Sequence, residues 1–274
     1  MLTIECGFQS LSQKLSGVLT KVSMFVKTVL EWSYTPPGIF EAPYVFPSQD
    51  FELRIESGLA SATFNQPRQQ VDQIEKLEIE RFVRLAFRGL EAITHQHIEI
   101  TGDKVYQYDA EGQRHEFIFL SGAICGGSAL SGDIVVRDKD GTIICDSRAE
   151  RIQKKHEFVT CVLNHAPDDG LLRLLLKSYA AAISDPANEF VHLYEIRDAL
   201  KAHFGGEVKA KKVLDFSDAR WSKLGRLANN EAVEQSRHRG SFINSTRSAT
   251  IEELTEARQI AQEMIEKYIA TLKT

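Results

Sequence analysis

The sequence predicts an α+β protein: an antiparallel β-rich half with one covering helix over residues 1–146, then a helical bundle over residues 147–274. Three observations carry this expectation. Apolar residues alternate with period two in short runs of the first half, the mark of strands with one buried face. In the second half they recur every three to four residues, the helical period. Turn residues punctuate the first half and helix-capping residues the second. With 274 residues, 43% hydrophobic and 26% charged, the chain can bury a sizeable core and is neither disordered nor fibrous.

Phe51, Leu53 and Ile55 alternate with Glu52, Arg54 and Glu56 in a strand that stops at Ser57-Gly58. Residues 22–30 fit a strand or a helix equally, and Pro36, Pro37, Pro43 and Pro47 predict an irregular connection after them. Pro67 is placed as the first-turn proline of an amphipathic helix over 69–93, with Val71, Ile74, Leu77, Phe82, Leu85 and Leu90 facing a sheet. Residues 97–100, 105–108 and 116–120 are three more strands, separated by Gly102-Asp103 and by the turn at 110–113. Residues 133–137 and 142–145 flank Asp140-Gly141, a strong hairpin signal.

From residue 147 the pattern is helical. A first helix over 147–163 is closed by Pro167, and a second over 171–183 is apolar nearly all round, as expected at the centre of a bundle. Asp185-Pro186 opens a third helix that Gly205-Gly206 closes. Thr250 and Glu253 form a capping box for a last helix, with Leu254, Ala257, Ala261, Met264, Tyr268 and Leu272 inward. Trp221 and Tyr194 read as core residues of this bundle. The junction near residue 146 is a change of architecture without a low-complexity linker.

Several function classes drop out. Lys21 and Lys27 interrupt the best apolar stretch, over 15–30, so no membrane span of roughly 18–20 residues is expected. The N-terminus has no cationic region of a signal peptide, and Cys6, Cys125, Cys145 and Cys161 lack CxxC pairing; both fit a cytoplasmic protein with reduced thiols. No GxGxxG or GxxxxGK[ST] unit is present, so no cofactor is expected. His95, His97 and Glu99 would share one strand face, but at about 6–7 Å per same-face step such a row suits a solvated face better than a metal. Cys125 in a glycine-rich turn has no identifiable base and reads as a buried thiol.

The charge is uneven. Between Arg197 and Ser248 eleven Lys/Arg stand against six Asp/Glu, an excess of five positive charges on a chain of net charge −5. Such a stretch is either the footprint of an anionic partner or a solvated helical face. Two constellations lie in it. Arg197, Asp198 and His203 share one helix, where positions six apart lie about 9 Å apart along the axis and about 120° apart around it. Arg237-His238-Arg239 puts two planar phosphate donors beside an imidazole, the side chain suited to proton transfer near neutrality. The same residues can instead tie down helix C-termini.

The order "LYEIRDALKAHFGG", "WSKLGRLANN", "QSRHRG" and a capped helix ending "YIATL" resembles the C-terminal region of a group of largely uncharacterised bacterial proteins. That region is similar in helix order to the HEPN superfamily, many of whose members are dimeric ribonucleases of toxin, CRISPR and antiphage systems. The resemblance covers residues 147–274. It implies an RNA-associated protein, a metal-independent ribonuclease, and a homodimer formed through the helical half. Arg197, Asp198 and His203 match the family's Arg–polar–spacer–His pattern, so the resemblance implies Arg197 and His203 as catalytic residues, and the Arg237-His238-Arg239 cluster adds His238 as a further expected catalytic residue. Arg226, Arg237 and Arg239 are the expected phosphate ligands. The alternative, from another class, is a non-catalytic interaction module whose β-rich half recognises a protein or ligand while the helical half dimerises.

Overall fold

A computed structural model describes residues 25–119, 133–137, 140, 143–242 and 245–273. The α+β architecture is as expected. The N-terminal half forms an antiparallel six-stranded sheet from β1 (Lys27–Thr35), β2 (Tyr44–Pro47), β3 (Phe51–Glu56), β4 (Leu59–Phe64), β5 (Glu99–Tyr108) and β6 (Arg114–Phe119), in the order β2-β3-β4-β1-β5-β6. A separate hairpin pairs β7 (Val135–Arg137) with β8 (Ile143–Asp146). Helix α1 (Gln73–Thr94) lies between β4 and β5 in the chain. The second half contains α2 (Ser147–His165), α3 (Gly170–Ser184), α4 (Glu189–His203), α5 (Glu207–Val213), α6 (Asp218–Asn229) and α7 (Ile251–Leu272).

One sheet face is buried. Leu30 and Trp32 on β1 pair with Ala62 and Ala60 on β4, which pair in turn with Leu53 and Ile55 on β3. The two alanines, fully buried, leave room for the large neighbours on either side. Helix α1 sets Ile79, Val83, Ala86, Phe87 and Leu90 against this face, and the Phe87 and Tyr34 rings lie 4.9 Å apart. Its other side meets α2 at Gly89, where a Cβ would come within 3.2 Å of Val162. Helix α1 is thus a middle layer, and one continuous buried core runs from the sheet into the helices.

Polar groups join the halves as well. Glu41, in the connection before β2, accepts a two-pronged bond from Arg151 of α2 (2.9 and 2.5 Å) and a further bond from Lys155. These cations hold its carboxyl down at about 2. The Tyr44 hydroxyl shares a 3.0 Å hydrogen bond with Thr160. At the far end of α1, His95 caps the helix in the left-handed conformation (φ 55°) and bonds the buried Tyr179 hydroxyl of α3. Burial and the nearby Arg258 charge push the His95 imidazole down to about 4.

Several expectations are corrected. Helix α1 starts at Gln73, not near Pro67, because Asp72 supplies the N-cap by accepting from Ile74 and Glu75 N–H. Gly102-Asp103 is not a turn: Gly102 has φ 70°, and residues 99–108 continue as one strand with a register shift opposite Glu31 and Ser33. His95 is a helix cap and His97 precedes β5, so they do not line a strand with Glu99. The Asp185-Pro186 signal opens a short 3-10 turn, and α4 begins after it. Cys145 and Cys161 are unpaired, whereas Cys6 and Cys125 lie outside the described residues. No helix among the described residues is long and apolar enough to cross a membrane.

Candidate nucleic-acid interface

Helix α4 buries Phe190, Leu193, Ile196 and Leu200 on one face. The helical period then puts Tyr194, Arg197, Asp198 and Lys201 together on another. Arg197 is held from several sides. Its Nη1 donates to the Tyr194 hydroxyl at 2.8 Å and its Nη2 to Glu207 of α5 at 2.9 Å. The guanidinium carbon lies 5.4 Å from the centre of the buried Trp221 ring of α6. Gly225 of α6 makes this approach possible, since a Cβ there would sit 3.1 Å from Arg197 Nη1.

The second constellation reaches the same place from a loop. Arg237 donates its backbone N–H to the Ala228 carbonyl at the end of α6 (2.8 Å). Its side chain lies over the Tyr194 ring, 4.7 Å from the centre, and its Nη1 is 3.4 Å from the Asp198 carboxylate. Arg197 is also within cation–π range of that ring, at 5.1 Å. Tyr194 therefore joins two arginines that are forty positions apart in the sequence. The loop is pinned at its base: Glu234 N–H donates to the Arg247 carbonyl, Arg247 N–H to the Ala232 carbonyl, and Arg247 forks onto Glu253 of α7. Val233 and Ser236 are fully buried beneath it.

The remaining expected residues fall around this cluster. His238 follows Arg237 directly, is exposed, and its carbonyl accepts from Ser241 N–H in a tight turn. Arg239 starts a 3-10 turn, and its side chain lies outside the described residues. Arg226 pairs with Glu231 at 3.4 Å, apart from the Tyr194 cluster. His203, at the last turn of α4, packs edge-on against Phe204 and Tyr268, with centroids 4.8 and 5.8 Å away. Arg197 faces α5 and α6 while His203 faces α7, as their angular separation on one helix requires. Among the described residues no hydrogen bond, ion pair or ring contact joins the two.

Much of the basic stretch is neutralised. Arg197, Lys211, Arg220, Lys223, Arg226, Arg237 and Arg247 each reach an acid, three of which (Glu253, Glu256 and Glu263) belong to α7. The linear charge count could not show this, because the neutralising helix lies outside the segment counted. Tyr194, which the sequence reading placed in the core, is the site residue it undervalued. The signal was available: Tyr194 lies one turn before Arg197 on a face that carries no apolar stripe. Comparison with protein-family models, with curated proteins and with solved structures finds no match for this chain.

Proposed function

We propose that the helical half is a HEPN-like, RNA-associated module that receives a phosphodiester at the Tyr194 cluster. The observation that carries this reading is the convergence of Arg237 and Arg197 on Tyr194, with exposed His238 next to Arg237. Among the described residues the Arg237 side chain is tied by a long contact to Asp198 and by a ring face, so its fork can turn to a phosphate, and Tyr194 offers a flat surface to a base. His238 is the proton-transfer group in this reading, which makes the protein a metal-independent ribonuclease of a defence or toxin setting. The imidazole takes the proton of a ribose 2′-hydroxyl, and that oxygen bonds to phosphorus. The bond from phosphorus to the 5′-oxygen breaks, and the departing oxygen takes a proton from water.

One observation favours a second reading, a non-catalytic binding module. Arg197 is already engaged by Glu207 and Tyr194, and His203 is directed to a different neighbour. Incubating a mixed single-stranded RNA pool with the protein in EDTA, beside His238→Ala and His203→Ala, separates the two. Products lost with His238→Ala alone support the ribonuclease centred on the loop. Binding without cleavage supports the module, and neither binding nor cleavage removes both forms of the RNA reading.

A further inference from the structure

A second place in the molecule has the features of a ligand site and is unrelated to the Tyr194 cluster. A groove of about 830 Å³ opens where the start of β3 and the end of β4 meet α1 and the connection between α2 and α3. Its volume is within the range of small-molecule sites, about 300–1,000 Å³. Phe51, Phe64 and Phe82 line it, and the Phe51 and Phe82 rings meet edge to face at 5.4 Å. Three guanidiniums from three separate segments stand around this aromatic lining: Arg68, Arg81 and Arg173.

Two of the three are held in place before any ligand arrives. Arg68 lies over the Phe64 ring at 5.2 Å and donates its Nε to Glu75 at 3.0 Å. Its own backbone carbonyl is fixed by Thr28 Oγ1 and by the buried Gln107 amide, at 3.0 and 2.7 Å. Arg173, from the helical half, spends its Nη1 on the carbonyls of Ala166 and Pro167 at 2.7 and 2.6 Å, which fixes the guanidinium plane. Arg81 is exposed on α1 and has no ion pair or hydrogen bond among the described residues. Holding a planar donor on one edge reduces the ordering cost when its other edge binds an anion.

The lining also contains Asp50, Glu75 and Glu78, three carboxylates against three guanidiniums, of which Glu75 is already paired with Arg68. A bare fatty acid would leave Asp50 and Glu78 unmatched, and inorganic phosphate would leave the aromatic lining unused. A ligand with an anionic group, a flat ring and hydrogen-bond donors uses all three. We propose that this groove binds a nucleoside monophosphate. The base rests against the partly exposed Phe82 ring, the phosphate meets Arg81 and Arg173, and Asp50 and Glu78 accept from sugar hydroxyls or a base amino group. Because Arg173 comes from the helical half and Arg81 from the β-rich half, the bound nucleotide bridges the two.

Calorimetric titration of the full chain with AMP, GMP, CMP and UMP tests this. Parallel titrations use the matching nucleosides, inorganic phosphate, and the variants Arg81→Gln and Arg173→Gln, each also made on an Arg237→Ala background that removes the phosphate donor of the Tyr194 cluster. At least one nucleotide is expected to bind saturably, with an affinity loss of about tenfold or more in Arg81→Gln and in Arg173→Gln. The nucleoside and phosphate alone should both be weaker, and the losses in Arg81→Gln and Arg173→Gln should persist on the Arg237→Ala background. Arg81 is exposed and makes no hydrogen bond or ion pair among the described residues, so its variant keeps the test valid even if Arg173→Gln unfolds the α2–α3 connection. No saturable binding at millimolar nucleotide would overturn the proposal. So would binding that Arg81→Gln leaves unchanged, or phosphate alone binding as tightly as the nucleotide.

Discussion

Arg258 and Arg237 are both arginines of the helical half held by a carboxylate, but they sit in opposite settings. Arg258 reaches from α7 to Glu189 at the start of α4, and that carboxylate is only 3% exposed. Arg237 is itself 39% exposed, touches Asp198 at the edge of bonding distance and rests on an aromatic face. Removing Arg258 would leave the buried Glu189 carboxylate without its cation, whereas removing Arg237 leaves Asp198, itself 43% exposed, in water. Burial of the partner, and not the count of ion pairs, separates a strut from a donor that can be lent to a ligand. The same test sorts the rest of the basic stretch, where α7 claims several cations and the α4 face keeps Arg237 accessible.

The largest expected effect breaks the strut. Arg258→Ala should cost about 3 kcal/mol in urea unfolding, because the buried Glu189 is left without its cation. Glu41→Gln, which weakens the link to Arg151 and Lys155 between the halves, should cost about 2 kcal/mol by the same measurement. A near-neutral result at Arg258 would erase the distinction drawn between the two arginines.

Two pH windows sharpen it further. The Glu41 carboxyl sits at about 2 in the fold, below its usual range, so its contribution is complete above the ordinary carboxylate range and is lost as pH falls toward 2. His95 sits at about 4, below an ordinary imidazole near 6.5, so folding favours its neutral form. That contribution is present above about pH 6.5 and is lost as pH falls from there toward 4. Replacing His95 with Asn, which tolerates the left-handed cap, should flatten the upper window and leave the lower one. A stability curve unchanged by His95→Asn between pH 6.5 and 4 would show that the capping histidine does not titrate with folding.

The smallest effect on stability belongs to Arg237→Ala, under about 0.5 kcal/mol, since the lost contacts are exposed. Its thermal melt should overlay that of the unmodified chain. A larger loss would mean that the loop, and not its side chain, has been disturbed.

How far these features were legible depends on their range along the chain. Strand β3 and helices α2, α3 and α7 announce themselves through local period and caps, because each buries one face and ends on its own residues. Strand β4 did not, since Leu59-Ala-Ser-Ala-Thr-Phe64 is short and small; its alanines make sense only beside Trp32 and Leu30. Strand β5 looked broken because Gly102 reads as a turn until its register against β1 is known. At the candidate site the arginines were visible as residue types, but their meeting at Tyr194 spans forty positions and depends on Arg237 anchoring to Ala228 at the end of α6. The neutralisation by α7 depends on packing between helices that no local pattern encodes.

In the proposed reading Arg237 donates to a phosphate, and salt dependence is the sharpest check on that role. Binding of a mixed single-stranded RNA pool should be followed across a salt series for the unmodified chain and for Arg237→Ala. Affinity should fall steeply with salt, and Arg237→Ala should bind more weakly with a log–log slope shallower by about one. Superimposable curves, or no RNA binding at low salt, would contradict it.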